Sequence, residues 1–588
     1  MIRLSRPRSV ARPLLLGALL PLLGACATQP TLPEPAVDPA AIEVPVIERP
    51  AGETPQWWFR NGAAQAAQAS AQAHAGGQRA KNVIVFLGDG MSITTIAAAH
   101  VMAGQRKGGD GESHRLSFEK LPFSALSRTY ETDLQTPDSA GTMTAIMSGV
   151  KTRGGFIGVS QVPDRHDCAG TRGQELVSML ELAASAGMST GAVSTARITH
   201  ATPAATYGHL PERNWEVDAA MPQEVRDQGC RDFATQLIDF PVPGGLTVAM
   251  GGGRGNFMPV GQPDPEYPGK AGKRQDGRDL VGEWASRHPE GKYVWNAAQL
   301  QALDLAQVPR LLGLFEPSHM HYEHERADDG AGEPSLAEMT VSALEVLQQN
   351  PDGFFLMVEG GRIDHALHAG NAYRALDETI ALADAVQAAL DHVDPAETLI
   401  VVTADHSHTL TFAGYPQRGN PILDKVRGAT DSYAEESHAG LALDASGKPY
   451  TTLNFANGPG HVGASDRQPE GPKRFPHEPT QYAATDHGRP DLSDVDTTDP
   501  DYMQEATVPL GGESHGGEDV AIFAGGPGAT AFHGELEQNA IFHVIVQHTP
   551  SLRAELCRLG SCNADGVPVD RPTRQAWLQR VEALSPGK

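Results

Sequence analysis

Six apolar, β-branched runs recur along the chain, at residues 82–87, 190–194, 246–250, 354–358, 399–403 and 520–524. Turn signals follow them, and stretches with helical period lie between or after them, at 93–103, 173–186, 335–349, 372–391 and 539–548. Runs that are continuously apolar rather than alternating predict strands buried on both faces. Their alternation with helices predicts an α/β fold, a central, mostly parallel sheet flanked by helices. Sheets of this kind place their sites at the carboxyl ends of strands, where polar residues crowd here: Asp89 after the first run, Thr195 to His200 after the second, Glu359 after the fourth and Asp405-His406 after the fifth.

Four segments break the pattern. Residues 1–25 carry Arg3, Arg6, Arg8 and Arg12 ahead of an apolar run at 14–23. That run is too short to span a bilayer, which needs about 20 residues, so it reads as a cleaved export signal. Leu23-Gly24-Ala25-Cys26 resembles the lipobox of bacterial lipoproteins and implies export and anchoring through a lipidated Cys26, on the periplasmic side or the cell surface. Residues 26–53 are rich in proline and read as a stalk. Thr54-Pro55 supplies an N-cap and a first-turn proline for an N-terminal arm helix over 54–73, whose Trp57, Trp58 and Phe59 need a surface to pack on. Residues 414–512, rich in Gly, Pro, Asp and Tyr, read as an inserted, loop-rich subdomain. The catalytic core is then 80–413 resumed at 513–562, with a tail at 563–588.

The 588 residues are 40% hydrophobic and 20% charged, enough for a sizeable core. Gly 63 and Pro 44 make the chain loop-rich, yet below the roughly 25–30% at which low-complexity disorder becomes the default. A net charge of −26 excludes the electrostatic footprint of a nucleic-acid binder and requires any anionic substrate to meet a local cationic site. With Cys26 assigned to the lipobox, Cys168, Cys230, Cys557 and Cys562 remain as an even number that suits an oxidising compartment. Three connectivities are open, and the short 557–562 spacing favours a local bridge.

Asp364 and His368 stand four residues apart after a strand, on one face of a helical turn, a pairing that suits a divalent metal. Asp405 and His406 end a buried strand, where an unpaired carboxylate would be costly. Asp89 lies in a Gly-Asp-Gly strand-to-helix turn, and His515 among glycines before the last strand. Ser139 opens a small-residue helix whose amides attract phosphate. No histidine is close to it in sequence, so activation of its hydroxyl falls to metal. Thr202 and Arg213 add a hydroxyl and a guanidinium suited to phosphate.

Together, Val-Ile-Val-Phe-Leu-Gly-Asp-Gly-Met (83–91), Pro-Asp-Ser-Ala-Gly-Thr (137–142), Val-Glu-Gly-Gly-Arg-Ile-Asp-His (358–365), Val-Thr-Ala-Asp-His-Ser-His (402–408) and Ser-His-Gly-Gly-Glu-Asp-Val-Ala (514–521) resemble the alkaline phosphatase family, more closely its animal-type branch than the shorter bacterial enzymes. The resemblance runs from Trp57 to Cys562. It implies metal-dependent hydrolysis of small-molecule phosphate monoesters through a phosphoseryl intermediate on Ser139, with Arg213 clamping the phosphoryl oxygens. It implies two zinc ions and one magnesium ion: Asp364, His368 and His515 for the first zinc, Asp89, Asp405 and His406 for the second, and Asp89, Thr202 and Glu359 for magnesium. His200 and His365 would tune the magnesium and the phosphate. A further calcium site is implied at Glu266, Phe315 (backbone), Glu316 and Glu333, with Asp329 as the alternative to Glu333. The resemblance also implies Cys168–Cys230 and Cys557–Cys562 disulfides, a crown-like role for 414–512, and a homodimer for which the arm aromatics offer a contact.

Two alternatives compete. A diesterase or sulfatase on the same scaffold is disfavoured by Arg213 and the accessible three-metal set. A non-enzymatic binder of phosphate or metal would have no use for Ser139 beside both zinc sets.

Overall fold

Ten strands build one sheet: β1 (Asn82–Gly88), β2 (Phe123–Arg128), β3 (Ser189–Arg197), β4 (Val248–Gly252), β5 (Lys292–Val294), β6 (Leu311–Leu314), β7 (Phe354–Gly360), β8 (Thr398–Thr403), β9 (Val520–Gly525) and β10 (Glu535–Glu537). Their spatial order is β10-β2-β9-β8-β1-β7-β3-β4-β6-β5. Every pairing is parallel except those of β9, which runs antiparallel to both β8 and β2. The structure is a computed structural model that describes residues 53–73, 77–428, 437–438, 440–483, 488–564 and 566–584. The export signal, Cys26 and all of the stalk but its last residue lie outside the described residues.

The three central strands explain the position of the site. β7 and β8 are buried throughout and β1 in all but its first residue, as their Val, Ile, Leu and Phe runs require. On one face pack α1 (Pro55–Gln72), α3 (Ser139–Ser148), α4 (Met179–Ser185) and α8 (Ala540–His548). On the other pack α2 (Ile93–Arg106), α5 (Leu336–Leu347), α6 (Arg362–His368) and α7 (Ala372–His392). Leu87 pairs with both Glu359 and Thr403, so the loops after β1, β7 and β8 emerge side by side.

Several expectations change. The helix expected over 173–186 is confined to Met179–Ser185, because Ser178 and Glu181 form a capping box that starts it there and Gly173 sits at φ +78°. The strands β2, β5, β6 and β10 had no sequence signal: β2 is Ser-rich with alternate positions exposed, and the other three span only three or four residues. The arm helix forms with Thr54 as N-cap, but Trp58 and Phe59 are buried against their own chain, with the Phe59 ring 4.5 Å from that of His543. The two are therefore not free for a partner subunit. The tail carries a helix, α9 (Arg574–Leu584), docked on α4 through Trp577, whose indole Nε1 donates to the Glu181 carbonyl and Ser185 Oγ at 3.1 Å each.

The insertion contains no α-helix among its described residues. Its strands Leu453–Gly458 and Ala506–Pro509 join Leu410–Phe412 in a small sheet. It is fastened to the loop after α6, where Gln504 N donates to the Gly370 carbonyl (3.0 Å). The disulfides are Cys168–Cys230 and Cys557–Cys562, with Cα atoms 6.1 and 4.8 Å apart.

Because Trp577 is wholly buried and its nitrogen is satisfied, Trp577→Ala should cost about 3–5 kcal/mol, read as a lower urea midpoint. Amide exchange should rise over 574–584, and an unchanged midpoint with unchanged protection would refute the docking.

Candidate metal centre

Ser139 is the first residue of α3, and its placement depends on Asp138, the N-cap. The Asp138 carboxylate accepts from the amides of Ala140 (2.9 Å) and Gly141 (3.2 Å) while its other oxygen accepts from Arg213 Nη1 (3.2 Å). One carboxylate thus fixes both the helix start and the guanidinium. Burial opposes ionisation of Asp138, but Arg213 and the amide donors outweigh it and hold its carboxyl below the usual range. Arg213 Nη2 also lies 3.4 Å from His200 Nε2.

Two donor clusters lie at the ends of the central strands. In the first, Asp364 Oδ1 is 3.2 Å from His368 Nε2 and 3.4 Å from His515 Nε2, and the two imidazole nitrogens are 3.1 Å apart. In the second, His406 Nε2 is 3.2 Å from Asp405 Oδ2 and 3.5 Å from Asp89 Oδ1. Ser139 Oγ is 3.1 Å from that same His406 nitrogen. The rings of His406 and His515 stack at 3.6 Å, joining the two clusters. Asp89 also belongs to a third group with Glu359 and His200, and Glu359 interacts with the Thr202 hydroxyl and accepts from Ser194 Oγ.

Whether cations fit can be tested on the oxygens themselves. Both carboxylate oxygens of Asp89, Oδ2 of Asp405, Oε1 of Glu359 and Oγ1 of Thr202 are sealed from solvent without a hydrogen bond of good geometry, even though Thr202 and Asp89 lie near Glu359 and His406 near Asp405. Leaving such groups unmatched is costly, and their types suit zinc in the Asp/His sets and magnesium in the all-oxygen set. Burial, then the neighbouring carboxylates, raises Asp89 well above the usual carboxylate range, and burial pushes Glu359 up to about 7. The protein fold alone does not satisfy these charges. His200 and His365 are driven well below the usual imidazole range by burial and by adjacent cationic groups, so both rings are neutral.

Three further residues take part that the sequence reading did not single out. His408 Nε2 reaches Asp364 Oδ1 at 2.8 Å and its Nδ1 bonds Glu513, fixing the carboxylate from behind. Gly90, at φ +69°, sits where any side chain would collide with the His408 ring. Glu513 also accepts from the amide and hydroxyl of Thr409. His319 lays its ring 4.1 Å from that of His365. The Asp-His-Ser-His alternation after β8 was a usable signal for His408, whereas His319 and Glu513 lie in loops that only the fold brings to the site.

The residues expected for calcium behave differently. Glu266 Oε2 and the Phe315 carbonyl both accept from Arg254, at 2.9 and 3.0 Å. Glu316 and Glu333 gather with His321, and Asp329 lies beside Glu266 and near Glu333, so these carboxylates share one neighbourhood.

Known proteins resemble this chain in sequence and in fold. The alkaline phosphatase family matches residues 80–549. The chain is 42% identical over 497 residues to the tissue-nonspecific isozyme of alkaline phosphatase from Gallus gallus, covering 84% of this chain and 88% of that one. It is 43% identical over 472 residues to the corresponding Homo sapiens isozyme, covering 79% and 83%. Among solved structures, the Thermus thermophilus alkaline phosphatase superposes with a TM-score of 0.55 at 23% identity, covering 86% of this chain and 96% of that one. A mutant of the alkaline phosphatase TAB5 with Mg bound in its M3 site gives 0.52 at 22% identity, covering 80% and 99%. The chain belongs to the alkaline phosphatase family of hydrolases, in its animal-type branch.

Proposed function

We propose that this chain hydrolyses phosphate monoesters through Ser139, with two zinc ions and one magnesium ion resident at the three donor groups. The observation that carries the reading is Ser139 Oγ, 3.1 Å from a buried imidazole of the second donor cluster and at the start of a helix, beside Arg213. Asp364, His368 and His515 would hold the first zinc, Asp89, Asp405 and His406 the second, and Asp89, Thr202 and Glu359 the magnesium. Bound there, the cations supply acidification of a hydroxyl at moderate pH and compensation of phosphoryl charge. Arg213, oriented by Asp138, binds two phosphoryl oxygens in its planar fork. Ser139 Oγ attacks phosphorus as the ester oxygen departs with the alcohol, giving phosphoserine, and water then cleaves the P–Oγ bond to release phosphate and restore the hydroxyl. The amides of Ala140 and Gly141 are occupied by Asp138, so the phosphoryl group depends on Arg213 and the cations. His408 and Glu513 hold Asp364 in place, and neutral His200 and His365 border the phosphate without adding charge.

The Leu23 to Cys26 segment supports export and a lipid anchor, and the two disulfides suit an oxidising compartment. A homodimer is part of the same reading, with its contact sought outside the buried arm aromatics.

Purified protein should release phosphate from an aryl phosphate at alkaline pH, lose this on chelation, and regain it with zinc plus magnesium. Faster turnover of a diester than of the monoester would overturn the monoesterase reading. Ser139→Ala should lower kcat by at least about a thousandfold while retaining metal. Arg213→Ala should lower kcat/KM by roughly 10- to 100-fold, the loss of charge-assisted hydrogen bonds worth about 1.5–3 kcal/mol.

Metal uptake should also release protons in a pH-dependent way. Glu359, held at about 7, is protonated to a large extent at pH 6 in the stripped protein and must ionise to bind cations, and burial and neighbouring carboxylates raise Asp89 in the same direction. Calorimetry in buffers of different ionisation enthalpy should show more protons released at pH 6 than at pH 8.5, and an equal number at both would contradict the raised values.

A further inference from the structure

Beside the Arg213 clamp lies a second guanidinium that takes no part in the proposed chemistry. Residues 155–157 and 210–213 run antiparallel: Ile157 and Leu210 exchange amide-to-carbonyl bonds of 2.9 and 2.8 Å, and Arg213 N donates to the Gly155 carbonyl at 2.9 Å. The Gly155 amide in turn faces the Asp138 carboxylate that orients Arg213. On the bare face of Gly155 lies the side chain of Arg165, whose guanidinium carbon would stand 2.6 Å from a Cβ placed on that glycine. A single glycine therefore separates Arg165 from both members of the Asp138–Arg213 pair, and its charge acts on both.

The surrounding loop holds that side chain in place. Glu212, the residue before Arg213, is buried; its Oε2 accepts from Arg165 Nε at 2.8 Å and lies 2.7 Å from His166 Nε2, while its Oε1 accepts from the Asn214 amide at 2.9 Å. His166 has φ +67°, a left-handed conformation unfavourable for a residue with a side chain. Its amide donates to the Pro211 carbonyl at 3.3 Å, its ring rests 5.9 Å from that of Trp215, and two residues on Cys168 is joined to Cys230. This fastening uses only Nε of Arg165. The two terminal nitrogens make no hydrogen bond or ion pair to the described residues, and the side chain is 45% exposed against 19% for Arg213. A fork of free N–H donors thus stands outward of the phosphate clamp, and such planar forks recognise carboxylate and phosphate groups. Arg213 already meets the reacting phosphoryl group, so the outer fork suits a different anion on the same molecule.

Building on the phosphomonoesterase reading above, we propose that Arg165 is a specificity-determining residue that binds a second anionic group of the substrate, favouring phosphate monoesters that carry one. Its effect is on binding and orientation, and Ser139 attacks the same phosphoryl group in either class of ester. In a chain of net charge −26, this local cation offsets the repulsion that a further negative charge on the substrate would otherwise meet.

The test uses the full chain loaded with zinc and magnesium, and two aryl phosphates that differ only in bearing a carboxylate or an uncharged carboxamide on the ring. Arg165→Gln should lower kcat/KM for the carboxylate relative to the carboxamide by about three- to fivefold, the scale of a half-exposed ion pair, and mainly through KM. Arg165→Lys, which keeps the charge, should retain more of the preference. Misalignment of Arg213 through Glu212 would lower both substrates alike, so the ratio separates recognition of the second anion from a structural role. In the unaltered protein, where folding of a variant is not at issue, added salt should reduce the preference for the carboxylate, because screening weakens a local attraction; repulsion from the acidic chain as a whole would give the opposite trend. A ratio unaltered by Arg165→Gln, or a preference that grows with salt, would overturn the proposal while leaving phosphate release intact. No turnover of either ester by the loaded protein would overturn the phosphatase reading itself, and this proposal with it.

Discussion

Four carboxylates, those of Asp89, Glu359, Asp364 and Asp405, are buried together at the carboxyl ends of three adjacent strands, and the rest of the centre is arranged around that concentration of like charge. In a medium less polarisable than water their mutual repulsion would be severe. Asp364 is relieved by imidazoles: burial raises its carboxyl, but His368, His408 and His515 together bring it well below the usual range. Asp89 and Glu359 have no such ring of donors, and their unpartnered oxygens mark where the protein leaves charge for a cation to match. On the proposed function stability and activity are coupled, because the groups that are costly when empty are the ones the chemistry would use.

The parallel sheet makes this concentration possible. Asp89, Glu359 and Asp405 are hundreds of residues apart in the chain, yet β1 pairs directly with β7 and β8. Each strand ends at nearly the same level and delivers one acidic loop. His515 enters from the other direction, on a two-residue strand paired with Ser407-His408, just ahead of the antiparallel β9. The junction directly after the insertion contributes indirectly: Glu513 N donates to the His368 carbonyl at 2.9 Å, so this last loop to arrive also secures the helix carrying Asp364 and His368.

The central strands and their polar termini were legible in the sequence because burial on both faces demands unbroken apolar runs. The same logic hid β2, whose Ser-rich alternation satisfies only one face, and β5 and β6, too short to show a pattern. Paired ligands such as Asp364 and His368 could be read from helical spacing. His408 could have been, since it lies two residues past His406. His319 could not, because its role depends on β6 lying near β7 across β3 and β4, a fact of topology with no local trace. The arm aromatics show the complementary limit: the sequence announced that Trp58 and Phe59 must be covered, and only the fold revealed that α8 of the same chain covers Phe59 while Tyr130 and Lys151 lie against Trp58.

An acidic chain that binds an anion needs its attraction to be local. The formal charge of −26 is spread over the whole molecule, and at physiological salt an exposed charge is screened within about 8 Å. Most of that repulsion is therefore spent before a phosphate monoester reaches the centre. Inside, Arg213 is held by Asp138 beside a site whose neighbouring histidines are kept neutral, and cations bound at the buried carboxylates would keep those charges from facing the substrate. Removing the cations would expose the phosphate to the same four carboxylates that gather them, so an unloaded centre would repel its own substrate, and selectivity for phosphate and metal occupancy become one property of the fold.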